Sequence, residues 1–92
     1  MLGGSGDGGV DLVAQLGMEK YAIQVKRYSK PISRNAVSDA VAGKSLHRCK
    51  HAMVITNSYF TPKARDYARR TNCQVIDGKV LKKWIDSVNY IK

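Results

Sequence analysis

Two short strand-like runs near the start of the chain predict a β-hairpin: the first is mostly apolar, as in a strand partly buried on both faces, and the second alternates between apolar and polar residues. The first strand is expected at residues 10–15, the turn at 16–19 and the second strand at 20–26. Because successive side chains of a strand point to opposite faces, the second strand has two distinct faces. One face carries Tyr21, Ile23 and Val25, and the other carries Ala22, Gln24 and Lys26.

The rest of the chain alternates between helical and strand-like patterns. Ser33 and Thr61 are predicted N-caps of two helices, and Pro62 fits the first position of the second one. A continuous apolar run at 52–56 and a short one at 74–76 predict strands, and Asp77-Gly78 predicts a turn. The helices are expected at 34–47, from 62 onwards, and at 80–90.

The last helix has a wide apolar stripe formed by Leu81, Trp84, Ile85, Val88 and Ile91. Such a stripe is expected to belong to the core, with a dimer interface as the alternative.

The predicted order is strand, strand, helix, strand, helix, strand, helix. The first two strands are joined by a tight turn and should pair antiparallel, whereas the later ones are joined through helices and should be parallel with right-handed crossovers. This order predicts an α/β sandwich with a mixed sheet, formed by residues 1–92 as one domain.

The net charge of the chain indicates what kind of molecule it binds. The 92 residues contain 16 Lys and Arg but only seven Asp and Glu, a formal net charge of +9. A folded basic domain suits a polyanion, and DNA or RNA is the commonest one in the cytoplasm; a merely basic soluble surface is the alternative. No apolar run approaches the ~20 residues that cross a bilayer, and no signal-peptide pattern begins the chain. We expect a cytoplasmic protein without a membrane partner.

The two cysteines, Cys49 and Cys73, are expected to be free thiols buried as small hydrophobic residues. His47, Cys49 and His51 would share one face of an extended strand, which leaves a zinc site as the alternative.

The predicted hairpin also collects chemistry-bearing groups. If Gln15 pairs near Tyr21, Asp11 lies opposite Val25 and next to Gln24 and Lys26. A carboxylate, an amide oxygen and an ammonium group would then converge, which suits a divalent cation and a phosphate. The alternative is a surface hairpin with an Asp11–Lys26 ion pair, which would contribute little to stability.

These residues resemble a known pattern. Asp11 followed by Gln24-x-Lys26, preceded by Gly6-Asp7-Gly8-Gly9-Val10, is similar to the catalytic core of the Mrr-like restriction endonucleases of the PD-(D/E)xK superfamily. This branch commonly has Gln in place of the second acid. The resemblance continues in order through nearly the whole chain, at Lys26-Arg27-Tyr28, Ala36-Val37, Val54-Ile55-Thr56-Asn57, Phe60-Thr61, Ala64, Ala68, Ile76-Asp77-Gly78 and Leu81.

The resemblance implies a restriction-endonuclease-like three-layer sandwich and a metal-dependent DNA endonuclease. It assigns catalysis to Asp11, Gln24 and Lys26, and it assigns Mg²⁺, or Mn²⁺ in its place, to the Asp11 and Gln24 side chains and the Val25 carbonyl. Asp7 is expected to cap the turn before the first strand, with help to the metal as the alternative. A non-catalytic DNA-binding remnant and a junction-resolving nuclease are the alternative functions.

Family members usually begin with a helix that packs on the sheet, and no such helix precedes the glycine-rich stretch here. We expect a trimmed chain, a minimal gene, or another subunit that fills the gap. The expected partners are DNA and either a second copy of the chain, the missing helix or a target-recognition domain. Contacts with DNA are expected at Ser5, Lys30, Arg34 and Lys63, with solvated surface charges as the alternative reading of the three basic residues.

Overall fold

A computed structural model describes residues 10–90, and the side chains up to residue 88. Two parts of the chain lie outside the described residues: the residues before Val10, which include Ser5 and Asp7, and the residues after Tyr90, which include Ile91. The predicted order of elements is confirmed. The strands are β1 (Leu12–Leu16), β2 (Glu19–Lys26), β3 (His51–Thr56) and β4 (Cys73–Ile76), and the helices are α1 (Arg34–Leu46), α2 (Pro62–Thr71) and α3 (Gly78–Tyr90).

The hairpin register differs by one residue from the predicted one. Leu16 pairs directly with Glu19, and Gln15 pairs with Lys20 rather than Tyr21. The turn therefore contains only Gly17 and Met18, and Gly17 has a φ of +63°, as a type II′ turn requires at its first position. The ladder ends with Leu12 opposite Ile23, and the Asp11 amide also donates to the Ile23 carbonyl, so the predicted pairing of Asp11 with Val25 is not formed.

The sheet is mixed and has the strand order β1-β2-β3-β4. β1 is antiparallel to β2, whereas β2, β3 and β4 are parallel. The parallel register sets Ala22, Gln24 and Lys26 beside Ala52, Val54 and Thr56, so these six side chains share one face. The α/β fold with a mixed central sheet is confirmed.

Helices α1 and α2 pack together on the sheet, and α1 contacts β2, β3 and β4. The main core lies between these helices and the sheet, and its small residues let the helices approach closely. It contains Ile32, Ala36, Val37, Ala40, Ala52, Val54, Phe60, Ala64, Ala68 and Cys73.

Helix α3 is the exception to the predicted core. It contacts β3 and β4, and within residues 10–90 it contacts neither α1 nor α2. Trp84 is 47% exposed, Ile85 51% and Val88 69%, so the expectation that this stripe is core is wrong for these residues. The reason is that β3 and β4 are the only described elements against which α3 packs, which leaves these three side chains uncovered.

The start of α3 also differs from the prediction of a simple turn. Asp77 caps the helix by accepting a hydrogen bond from the Val80 amide at 3.0 Å, and Gly78 is its first residue. A Cβ at Gly78 would lie 2.2 Å from the Asn57 carbonyl oxygen, so only glycine allows α3 to begin against this loop. Of the helices in residues 10–90, none is long and apolar enough to cross a bilayer.

Candidate active site

The carboxyl ends of β2, β3 and β4 form one edge of the sheet, which we call the carboxyl edge. Two loops at this edge are joined by hydrogen bonds. The Asn57 side-chain oxygen accepts from the Tyr28 amide at 2.9 Å, and the Ser58 hydroxyl donates to the Lys30 carbonyl at 2.7 Å. A β-bridge between Ile32 and Phe60 completes the connection. The loop after Lys26 is therefore held on a fixed support.

Asp11 lies at this edge through two contacts with β2. Its amide donates to the Ile23 carbonyl at 3.0 Å, and its carboxylate Oδ2 accepts from the Val25 amide at 2.8 Å. In an extended strand the N–H and C=O of one residue point to the same side. The Val25 carbonyl is therefore directed to the side on which Asp11 lies.

Gln24 is a buried polar residue on the face covered by the helices. The residue is 5% exposed, and its Oε1 has no hydrogen-bond partner among the described residues. Leaving a buried acceptor unpaired costs about 1–3 kcal/mol, and nearly all buried polar groups in native proteins are paired. An unpaired amide oxygen one residue from the Asp11–Val25 contact is the kind of exception that a bound ligand explains.

Lys26 is half-buried two residues beyond Gln24 and on the same face. Its Nζ lies 6.0 Å from the centre of the Tyr28 ring. No ion pair joins it to Asp11 or to another acid within residues 10–90, so the alternative of an Asp11–Lys26 pair is not what the structure contains.

A cleft of about 260 Å³ adjoins Lys26, and α1 contributes Asn35 and Asp39 to it. The sequence interpretation missed these two residues. Their spacing of four places them on one side of the helix, and this spacing was the available signal.

The three basic residues expected at DNA occupy two places. Lys30 is exposed on the loop after β2. Arg34 and Lys63 line one cleft of about 1,030 Å³ between the first turns of α1 and α2, where Arg34 lies 5.2 Å from the centre of the Tyr67 ring. Helix N-termini favour anions, which adds to the positive charge of this cleft.

The remaining cations of α2 have acidic partners. Arg65 forms an ion pair with Asp77 at 2.7 Å, and both Arg69 and Arg70 contact Asp66. Lys63 is therefore the α2 cation most available to an external phosphate.

The segment from His47 to His51 is not the extended strand on which the zinc alternative depended. His47 caps the end of α1, and Arg48 has a φ of +55°. His51 contacts Glu19 and stacks on Tyr21 with ring centres 4.4 Å apart. In the part of the chain that is described, no three His, Cys, Asp or Glu side chains form a group that could hold a metal ion.

Both cysteines are buried free thiols, as predicted. Burial raises the pKa of the Cys73 thiol to about 11, which keeps it protonated and inert at neutral pH.

Comparison with known proteins identifies the family. A family model described as Restriction endonuclease (Mrr_cat) matches residues 1–85. The type IV methyl-directed restriction enzyme EcoKMrr of Escherichia coli (strain K12) is 39% identical over 84 residues, which cover 87% of this chain and 28% of that enzyme. The chain thus spans little more than a quarter of this relative. No solved structure gives a significant match. Restriction endonucleases of this kind act on DNA and generally use a divalent metal ion, and the chain belongs to the Mrr-type restriction endonuclease family.

Proposed function

We propose that this chain is a metal-dependent DNA endonuclease of the restriction type, which hydrolyses phosphodiester bonds at the carboxyl edge. One observation carries the proposal: the buried Gln24 Oε1 has no partner among the described residues, and the next residue, Val25, donates its amide to the Asp11 carboxylate. Membership of the restriction endonuclease family supports the same conclusion.

The donor set fits a hard divalent cation. Asp11 offers a carboxylate, Gln24 an amide oxygen and Val25 a carbonyl oxygen, and Mg²⁺ and Mn²⁺ prefer oxygen ligands. We assign the metal to these three residues. When bound, the ion would neutralise charge on the phosphate and lower the pKa of a coordinated water. A site with one carboxylate binds such an ion weakly, so we expect the DNA phosphate to contribute to its affinity.

Lys26 provides the fixed positive charge. Its ammonium group has no acidic partner within residues 10–90, so it is available to a phosphate that enters the edge. We assign to it the stabilisation of negative charge that develops on the phosphate oxygens, together with orientation of the attacking water. Asp11 would hold the Val25 strand end in place through its 2.8 Å hydrogen bond.

Binding of DNA is proposed to depend on the backbone phosphates. Lys30, Arg34 and Lys63 lie near the amino ends of α1 and α2, and the chain has a net charge of +9. Each phosphate that is neutralised releases counterions, so binding should weaken steeply as salt rises. Ser5 remains a proposed contact outside the described residues.

A duplex has two strands, and residues 10–90 of each chain contain one such candidate site. We propose that two copies cooperate to cut both strands and that target choice requires a further domain or partner. Analytical ultracentrifugation with and without duplex DNA tests the first part. A protein that remains monomeric while it makes double-strand breaks would contradict it.

Nicking of supercoiled plasmid tests the proposed activity. The wild-type protein should nick the plasmid with Mg²⁺ and not with EDTA, and Asp11→Asn should reduce the rate by ~100-fold or more because it removes the only carboxylate of the donor set. The asparagine can still accept the Val25 hydrogen bond, so the fold is retained.

Glu19→Gln is the matched control, because it removes a carboxylate from the opposite edge of the sheet and should leave the rate within about two-fold. Binding of the plasmid by the wild-type protein without nicking would contradict the proposal and favour the non-catalytic DNA-binding alternative. Faster cleavage of a four-way junction than of duplex would favour the junction-resolving alternative.

A further inference from the structure

Two exposed tyrosines lie at the carboxyl edge, near the 260 Å³ cleft that adjoins Lys26, which we call the Lys26 cleft. Tyr28 is 52% exposed and Tyr59 is 59% exposed. Both line a cleft of about 600 Å³, which we call the tyrosine cleft and which also contains Ser29, Gly78, Lys79 and Lys82. Tyr28 lines the Lys26 cleft as well, so it stands between the two. Its place connects the tyrosine cleft to the candidate active site.

The backbone under the tyrosine cleft is fixed on several sides. The Gly78 amide donates to the Ser58 carbonyl at 2.7 Å, and the Tyr28 amide donates to the Asn57 side chain at 2.9 Å. The Tyr59 carbonyl accepts from the Ile32 amide at 2.7 Å. Both tyrosines therefore extend from an anchored backbone and not from a loose loop, which reduces the entropy lost when a ligand orders their rings.

The charges of the tyrosine cleft are mainly positive. Lys79 and Lys82 lie on one wall, and among the described residues Lys82 pairs only with the exposed Asp86, at 3.3 Å. The single acid of this cleft, Asp77, already binds Arg65 and the Val80 amide. Aromatic rings and available lysines side by side are the combination with which proteins hold an unpaired nucleotide, because the ring stacks on the base and the cation binds its phosphate.

We propose that the tyrosine cleft binds one unpaired nucleobase of the DNA, with Tyr28 and Tyr59 as stacking surfaces and Lys79 and Lys82 at the adjoining phosphate. This inference rests on the proposed function for its position next to the scissile phosphate. A base inside an intact duplex has both faces covered by its neighbours, so only a bulged, mismatched or single-stranded nucleotide can stack on a protein ring. The volume of the cleft lies in the ordinary range for pockets that bind small molecules and cofactors, about 300–1,000 Å³.

Binding to three fluorescently labelled DNAs of the same sequence tests the proposal. These are a perfect duplex, the duplex with one central unpaired nucleotide, and the single strand, each titrated in Ca²⁺ without Mg²⁺ and followed by anisotropy. The wild-type protein should bind the bulged duplex ~5- to 100-fold more tightly than the perfect duplex, as expected for one stacked base. A preference for the single strand over the bulge would place the natural ligand in single-stranded DNA and would also support the cleft.

Tyr28→Ala with Tyr59→Ala should reduce this preference to about one, whereas Tyr28→Phe with Tyr59→Phe should retain it because the rings remain. Trp84→Ala is the matched control, since Trp84 is an exposed aromatic residue of α3 outside the tyrosine cleft. Equal affinity of the wild-type protein for all three DNAs, or an unchanged preference in the double alanine variant, would overturn the inference.

Failure of the proposed function gives a different result. A wild-type protein that never nicks plasmid but prefers the bulged duplex refutes the nuclease and supports the tyrosine cleft. A protein that nicks plasmid and shows no preference refutes the tyrosine cleft alone.

Discussion

The polar side chains at the two ends of strand β2 differ in how completely they are paired. At its start, Glu19 contacts both Lys50, at 3.3 Å, and His51, and the His51 ring stacks on Tyr21. At its other end, among the described residues, Gln24 Oε1 has no hydrogen-bond partner and Lys26 forms no ion pair. The polar groups at the start of the strand are paired, whereas those at its other end are unpaired among the described residues.

This difference supports the proposal that the active site lies at the carboxyl edge. A side-chain network that is complete can be explained by the fold alone, whereas an unpaired buried oxygen reduces stability and needs another reason to exist. The carboxyl edge also has the amino ends of α1 and α2, which attract anions. The comparison therefore separates a structural cluster from the candidate active site without reference to any relative.

The largest expected effect is a difference in nicking rate between alanine variants of two lysines, Lys26 and Lys50. Lys26→Ala should lower the nicking rate by ~100-fold or more, because it removes a fixed charge at the phosphate. Lys50→Ala, at the end where the polar groups are paired, should lower it by less than about three-fold, since its surface ion pair contributes little. The measurement is the initial nicking rate at saturating DNA. Equal losses of rate in the two variants would contradict a special role for the Lys26 end of the strand.

A second prediction contrasts an unpaired buried polar group with a paired one. Gln24→Leu removes the unsatisfied oxygen and should raise the free energy of unfolding by about 1–3 kcal/mol while nicking is lost. Thr56→Val should lower it by about 1 kcal/mol, because the Thr56 hydroxyl, 1% exposed as a residue, accepts from the Ser58 amide at 3.0 Å. Urea unfolding measures both, and a destabilised Gln24→Leu variant would show that Gln24 has a structural role.

A smaller effect is expected at Asp77, which lies at the carboxyl edge but is fully paired. The hydrogen bond from the Val80 amide and the contact with Arg65 hold the pKa of this carboxyl below its ordinary value. Because the pKa is lower in the folded state, the stabilisation is complete above the ordinary value near 3.8 and is lost as the pH falls through the lowered one.

Asp77→Ala should therefore cost about 1 kcal/mol at pH 7 through loss of the helix cap, and the difference from the wild-type protein should shrink below pH 4. Urea unfolding at several pH values measures it, with Asp86→Ala as the exposed control on the same helix. A difference that stays constant from pH 7 to pH 3 would contradict the assignment.

Sequence reasoning predicted most of the fold because its signals were local. Ser33 and Thr61 cap α1 and α2 as expected, and each strand and helix was placed within about two residues. The hairpin register was missed by one residue, because the number of residues in the turn depends on backbone angles at Gly17 that composition does not reveal.

The rest of the site depended on contacts between distant segments. Asn35 and Asp39 line a cleft with Lys26 only because α1 packs across the sheet. Tyr28 and Tyr59 line one cleft only because the loops that carry them are joined by hydrogen bonds. Trp84 is exposed in the same way because α3 packs only on β3 and β4 among the described elements. An apolar stripe predicts a buried face, but not which surface will cover it.

Metal binding at the carboxyl edge is the most direct test of this account. Mn²⁺ can be titrated into the protein with a duplex that carries uncleavable phosphorothioate linkages, and free Mn²⁺ can be measured by electron paramagnetic resonance. If Asp11, Gln24 and Val25 hold the metal, the wild-type protein should bind about one ion per chain. Asp11→Asn and Gln24→Leu should bind Mn²⁺ at least ~10-fold more weakly, and Glu19→Gln should bind it as the wild-type protein does. Equal Mn²⁺ affinity in all four proteins would contradict it.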